Sequence, residues 1–159
     1  MSLTPAQLAT LKAAILADPV LSAYPMTADG AFDMARDRLN QEFSPAFTVW
    51  QDQLTPERFD AGLINGATQI DGLTQGKRDE LFMLGARTRD CNNVAVRNAI
   101  DDATGSAATL KAAMVAVEKR NALYGEKIFS IGTGTVLAPA TLVVYGQISY
   151  PDVQAARAL

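Results

Sequence analysis

Side chains able to carry chemistry are few in this 159-residue chain and poorly spaced for it. There is no histidine. That removes the commonest general base, the commonest transition-metal ligand and the usual switch near neutral pH. Cys91 is the single cysteine, so no intrachain disulfide forms and a cysteine-based metal centre is excluded by count. Asp52, Glu57 and Asp60 lie close together in sequence. Paired carboxylates run acid–base chemistry or bind Mg²⁺. Here they flank a helix start, where acidic groups complement the dipole, and we read them as structural. Lys77 and Lys111 are available as Schiff-base lysines, but nothing near them in sequence favours that role. Gly132-Thr133-Gly134-Thr135 has a Gly-x-Gly spacing. It lacks the third glycine and the following helix of a dinucleotide fingerprint. No phosphate-loop motif and no Ser-x-x-Lys occur. The chain therefore reads as a binding or structural protein with no cofactor, not as an enzyme.

Composition narrows the partners. The hydrophobic fraction is 48%, enough for a core, but much of it is alanine, which lets helices pack closely. A net charge of -3 and a pI near 4.9 supply no field for non-specific nucleic-acid binding. The N-terminus reads as a helix, not a signal peptide. Ile128–Pro151 is long enough to cross a bilayer, but its glycines, prolines and hydroxyls argue against that.

The elements follow from caps and periodicity. Thr4-Pro5-Ala6-Gln7 is a capping box with proline at the first helical position, and Leu8, Leu11 and Ile15 continue as one face of a helix over 5–17. Asp18-Pro19 ends it. Asp29 is the expected cap of a helix over 30–42 with Phe32, Ala35 and Leu39 buried. Phe47 and Trp50 are three apart and are expected to share the face of a short helix, although Phe-Thr-Val-Trp also suits a strand, with Trp50 as a core or interface anchor. Thr55-Pro56 starts a helix over 56–64 that buries Phe59 and Leu63 and stops at Asn65-Gly66. A loop over 67–74 leads to a helix over 75–88 with Leu81, Phe82 and Leu84 buried. Asn92 or Asn93 caps another over 94–103. The longest helix is expected over 107–129, where Leu110, Met114, Val117, Tyr124 and Ile128 keep a three-four rhythm. Ser149 caps a short last helix over 151–158.

Between Lys127 and Asp152 the chain carries no charge. Its centre, Ala140 to Tyr145, is β-branched and aromatic and suits a strand. Ile131, Val136, Leu137, Leu142, Val143, Val144, Tyr145, Ile148 and Tyr150 are the candidate binding residues of this segment. Two readings stand. The segment folds back on the helices as a hairpin, or it extends and adds a strand to a neighbour or packs in its groove. A strand apolar on both faces belongs between layers or between subunits. The expected architecture is mainly α: a small helical bundle over 1–129 and an extended C-terminal β arm or hairpin over 130–159 ending in the short helix. Deleting 130–159 is then expected to leave a soluble helical body.

The sequence resembles a group of small structural proteins of tailed bacteriophages and prophages. The likeness is carried by Leu3-Thr4-Pro5-Ala6-Gln7-Leu8 with Ile15 to Pro19, Asp29-Gly30-Ala31-Phe32, and Ser44 to Trp50. Near the other end it is carried by Ala122 to Lys127, Gly132 to Thr135, Pro139-Ala140-Thr141, Ile148-Ser149-Tyr150 and Asp152-Val153. It spans most of the chain and is weakest in the middle. Such proteins are similar in size and shape to head-to-tail adaptors. The resemblance implies a homo-oligomeric ring, twelvefold by analogy, beneath the phage portal protein. It places the chain in the virion neck, next to tail or nozzle proteins, after synthesis in the bacterial host cytoplasm. The C-terminal arm would dock on the portal or on an adjacent subunit. No catalytic or ligand residues come with the resemblance.

Overall fold

The computed structural model describes residues 2–159. Helix makes up 56% of the chain and strand 9%, well above the third or so of helix in ordinary domains. The chain divides into two compact units. One combines residues up to Thr48 with Asn121–Leu159, and the other is Val49–Arg120. This division differs from the expected 1–129 and 130–159. The C-terminal segment shares a core with the N-terminal helices, because its apolar residues need a partner surface and find it there.

In the first unit, helix α1 (Pro5–Ala17) starts as the capping box predicts. Gln7 N donates to Thr4 Oγ1 at 3.4 Å and Thr4 N to Gln7 Oε1 at 2.8 Å. Asp18 leaves the α region and caps the single turn α2 (Pro19–Ser22), accepting from Val20 N at 2.7 Å. Helix α3 (Ala28–Met34) is capped by Thr27, not Asp29, and runs into a π turn over Ala35–Leu39. Its buried face is Ala31, Met34, Ala35 and Leu39, while Phe32 is half exposed and meets Tyr150 edge-on at 6.2 Å. Strand β1 (Thr48–Trp50) replaces the expected helix around Phe47–Trp50. It pairs with β2 (Lys119–Asn121), and these two strands carry the chain into and out of the second unit. Helix α8 (Tyr124–Ile128) and the terminal helix α9 (Tyr150–Ala158) complete the first unit.

Helix α9 packs on α1 and α3. Leu11, Ile15, Leu21, Met34, Val153 and Ala156 form the centre of that core, and Phe129, Val144 and Ile148 join it. Burial of each larger side chain contributes about 1.5–3 kcal/mol. Asp152 fastens the chain ends: its Oδ1 accepts from Leu3 N at 3.0 Å and its Oδ2 from the Ser149 hydroxyl at 2.5 Å.

The second unit contains helices α4 (Pro56–Asn65), α5 (Gln75–Gly85), α6 (Val94–Thr104) and α7 (Ala108–Val117), with a 3₁₀ turn over Ala67–Gln69. Helix α7 packs closely on α4. Gly62 and Gly66 permit this, since a Cβ at Gly62 would fall 2.8 Å from Met114 Sδ and one at Gly66 2.6 Å from Leu110 Cα. The core is Leu54, Phe59, Leu63, Leu81, Ile100, Leu110 and Met114, with Cys91 buried among them. Phe82 is 57% exposed, so α5 buries Leu81 but not its neighbour. The helix expected over 107–129 is three elements. The chain leaves α7 at Val117, pairs as β2 and re-enters a helix only at Tyr124.

Candidate functional site

The uncharged segment is a short hairpin with long, irregular flanks. Strand β3 (Ser130–Ile131) runs antiparallel to β4 (Thr141–Leu142), with Ser130 opposite Leu142 and Ile131 opposite Thr141. The turn between them is built by polar side chains. Ala138 N donates to Thr135 Oγ1 at 3.0 Å, and the Thr133 hydroxyl donates to Ala138 O at 3.1 Å. The turn is also tied to Thr48. Thr48 N donates to Gly134 O at 2.7 Å and Ala140 N to Thr48 O at 2.9 Å. Gly134 has φ +65 and packs against the Phe47 ring, where a Cβ would come within 2.2 Å of a ring carbon. A left-handed residue in a space this tight has to be glycine.

Beyond β4 the segment is held from two directions. The Glu126 carboxylate is 1% exposed. Its Oε1 accepts from Gly146 N at 3.0 Å and its Oε2 from Leu123 N at 2.9 Å. Asn40 clasps Ile148, accepting from its N at 2.8 Å and donating to its O at 2.9 Å. Asp18 and Tyr124 close the same region, with the Tyr124 hydroxyl donating to the Asp18 carboxylate. Burial, aided by that bond and by the Asp18 charge, pushes the Tyr124 hydroxyl up to about 12, against the nearby Arg38.

These bonds sort the candidate binding residues into two sets. Leu142, Val144 and Ile148 are buried in the chain's own fold, so they are not an available binding surface. Their role is to anchor the segment. Ile131, Val136, Leu137, Val143, Tyr145 and Tyr150 are exposed, Leu137 to 96%. Burial alternates from the end of β4 onward: Leu142 and Val144 are buried, while Val143 and Tyr145 are exposed. Apolar side chains are thus divided between a buried set and an exposed set, and Ile148 is buried with Leu142 and Val144. Val136 and Leu137 lie in the turn and Ile131 on β3, Val143 and Tyr145 follow β4, and Tyr150 starts α9.

In the second unit the other singled-out residues are structural in placement. Asp52 is paired with Arg120, whose Nη2 and Nε donate to its Oδ1 at 2.8 and 3.0 Å. Trp50 carries Arg97 over its ring at 4.2 Å and Lys119 at 5.5 Å. Burial pushes the Cys91 thiol up to about 12, with Glu118 and Asp90 adding to the effect and Arg97 opposing it. Such a thiol is a packing group, not a nucleophile. No group of three or more potential metal ligands occurs among the described residues, and no helix of the described chain is long and apolar enough to cross a membrane. Sequence reasoning missed Glu126, Asn40 and Asp152 as anchors, because the partners they hold, Gly146, Ile148 and Leu3, lie 20 to 149 residues away and leave no local pattern.

No family model matches this chain, and neither a curated protein nor a solved structure matches it.

Proposed function

We propose that this chain is a virion structural protein of a tailed bacteriophage, a head-to-tail adaptor that assembles as a ring between portal and tail. The observation that supports the reading is the exposed apolar pair Val136 and Leu137 on a turn fastened by hydrogen bonds to Thr48, with exposed Ile131, Val143 and Tyr145 flanking it in sequence. Ring formation needs a heterologous contact, in which one surface of a subunit meets a different surface of the next. A pre-organised apolar projection suits that geometry, because ordering it costs little on binding. The docking element is therefore the exposed rim of the C-terminal segment, against the portal or a neighbouring subunit. The segment does not detach as a whole.

The test uses point substitutions, since removing residues 130–159 would strip Val144, Ile148, Val153 and Ala156 from a core. The full chain and a V136D/L137D variant are mixed with portal-bearing heads assembled without this chain. Native mass spectrometry and electron microscopy are the readouts. Both proteins are expected to fold, and only the unsubstituted one to form a ring under the portal and restore tail joining. Binding elsewhere on the particle would instead assign another virion role, such as tail completion or head decoration. Absence from purified particles would point to a cytoplasmic protein-interaction module.

A further inference from the structure

Two buried side-chain oxygens in the second unit have no hydrogen-bond donor, and they belong to residues whose backbones are hydrogen-bonded to each other. Glu118 is 2% exposed and its Oε1 has no partner. Gln51 is 7% exposed. Its Nε2 donates to Gln53 O at 3.0 Å, while its Oε1 is also without a partner. Gln51 N donates to Glu118 O at 2.7 Å just beyond the β1–β2 pair, where Glu118 closes α7 as its C-cap. Two acceptors are thus buried with no donor, which native proteins avoid.

The surrounding charges are already engaged. From α6, Asp101 binds Lys111 of α7 at 2.8 Å. Arg97 of α6 donates to the carbonyls of Cys91 and Asn92 and stacks on Trp50. Lys119 of β2 lies over Trp50, and Asp52 is paired with Arg120. Cys91 and the neighbouring Asp90 complete the set on the side of the loop, where Cys91 N donates to Gln51 O at 2.8 Å. None of these groups donates to Glu118 Oε1.

We propose that Glu118 is held in the folded protein as a neutral carboxylic acid, so that the 49–120 unit binds one proton on folding and loosens as pH rises. A single proton removes the buried charge and converts one of the two unmatched acceptors into a donor. Burial, with Asp101 adding to it, pushes the Glu118 carboxyl up to about 7 against Arg97, Lys119 and Lys111. The unfolded chain loses this proton near the ordinary value of 4.5. The stabilisation is therefore fully present below about pH 4.5 and is lost as pH rises through about 7.

The test compares the full chain with E118Q, whose amide supplies an N–H where the acid has its O–H. Urea unfolding is followed at pH 5 and pH 8 by the fluorescence of Trp50, the only tryptophan. From pH 5 to pH 8 the unfolding constant of the natural chain is expected to rise at least about tenfold more than that of E118Q. An infrared carbonyl band of a protonated carboxylic acid is expected at pH 6 in the natural chain, fading on titration through about 7. That band needs no substitution and decides the matter even if E118Q folds poorly. Parallel pH profiles for two folded proteins, or no acid band at pH 6, would overturn the proposal.

Discussion

Glu126 shows how much of this fold hangs on single polar side chains. Its two oxygens each accept a backbone N–H, one from Leu123 and one from Gly146, at a site with 1% exposure. Replacing it by alanine leaves both donors without that acceptor. The expected cost is about 2–4 kcal/mol, because each orphaned donor in a buried site costs about 1–3 kcal/mol. E126Q keeps one acceptor and is expected to lose less. Urea unfolding of the two variants checks the order, and equal midpoints for E126A and the natural chain would show that the clasp contributes nothing. Asp152 has the same character, holding Leu3 N across 149 residues of sequence. Neither carboxylate stands out in the sequence. Each reads locally as an ordinary first-turn acid of a helix, which it also is.

Among the elements, the exposed turn between β3 and β4 is the one whose shape bears on binding. Its backbone is set by Gly134 at φ +65 against the Phe47 ring. G134A meets two penalties, a left-handed backbone of about 1–2 kcal/mol and a steric clash that forces the turn off Phe47. The variant is expected to lose about 2–4 kcal/mol, and amide exchange should quicken at Thr48 and Ala140, whose N–H groups bond across the turn. Unchanged protection at those two amides would refute this account. The helices were more legible than the strands. Thr4, Asn93 and Ser149 cap as their sequence context predicts, because a cap and its recipients lie within three residues. The long helix expected over 107–129 fails at Lys119–Asn121. Those residues give up intrahelical bonds for a ladder with β1, a partner about seventy residues away. Phe82 fails differently, as periodicity marks an apolar face without saying whether another element covers it.

At the scale of the molecule, the second unit is an insertion between Thr48 and Asn121. Phe47 N donates to Asn121 Oδ1, and Ala122 N donates to Phe47 O, each at 2.9 Å. The two chain crossings therefore lie side by side within the first unit, which has its own hydrophobic core. Replacing residues 49–120 by an Asn-Gly turn, the preferred two-residue link for paired strands, is expected to leave a folded first unit. Dispersed amide resonances and a single cooperative urea transition would show it, and a collapsed or aggregated product would sink the idea.

The sequence by itself determined the mainly helical class, most helix starts, the absence of histidine chemistry and the uncharged character of residues 128–151. Caps and apolar periodicity act over three or four residues, so they are written locally. Only the tertiary structure decided that the C-terminal segment is built into a core, that Leu142, Val144 and Ile148 anchor it while Val136 and Leu137 face outward, and that Glu118 lies buried with its backbone bonded to Gln51. Each of those outcomes depends on which distant surface is available to exclude water from a given side chain, and no local pattern encodes that.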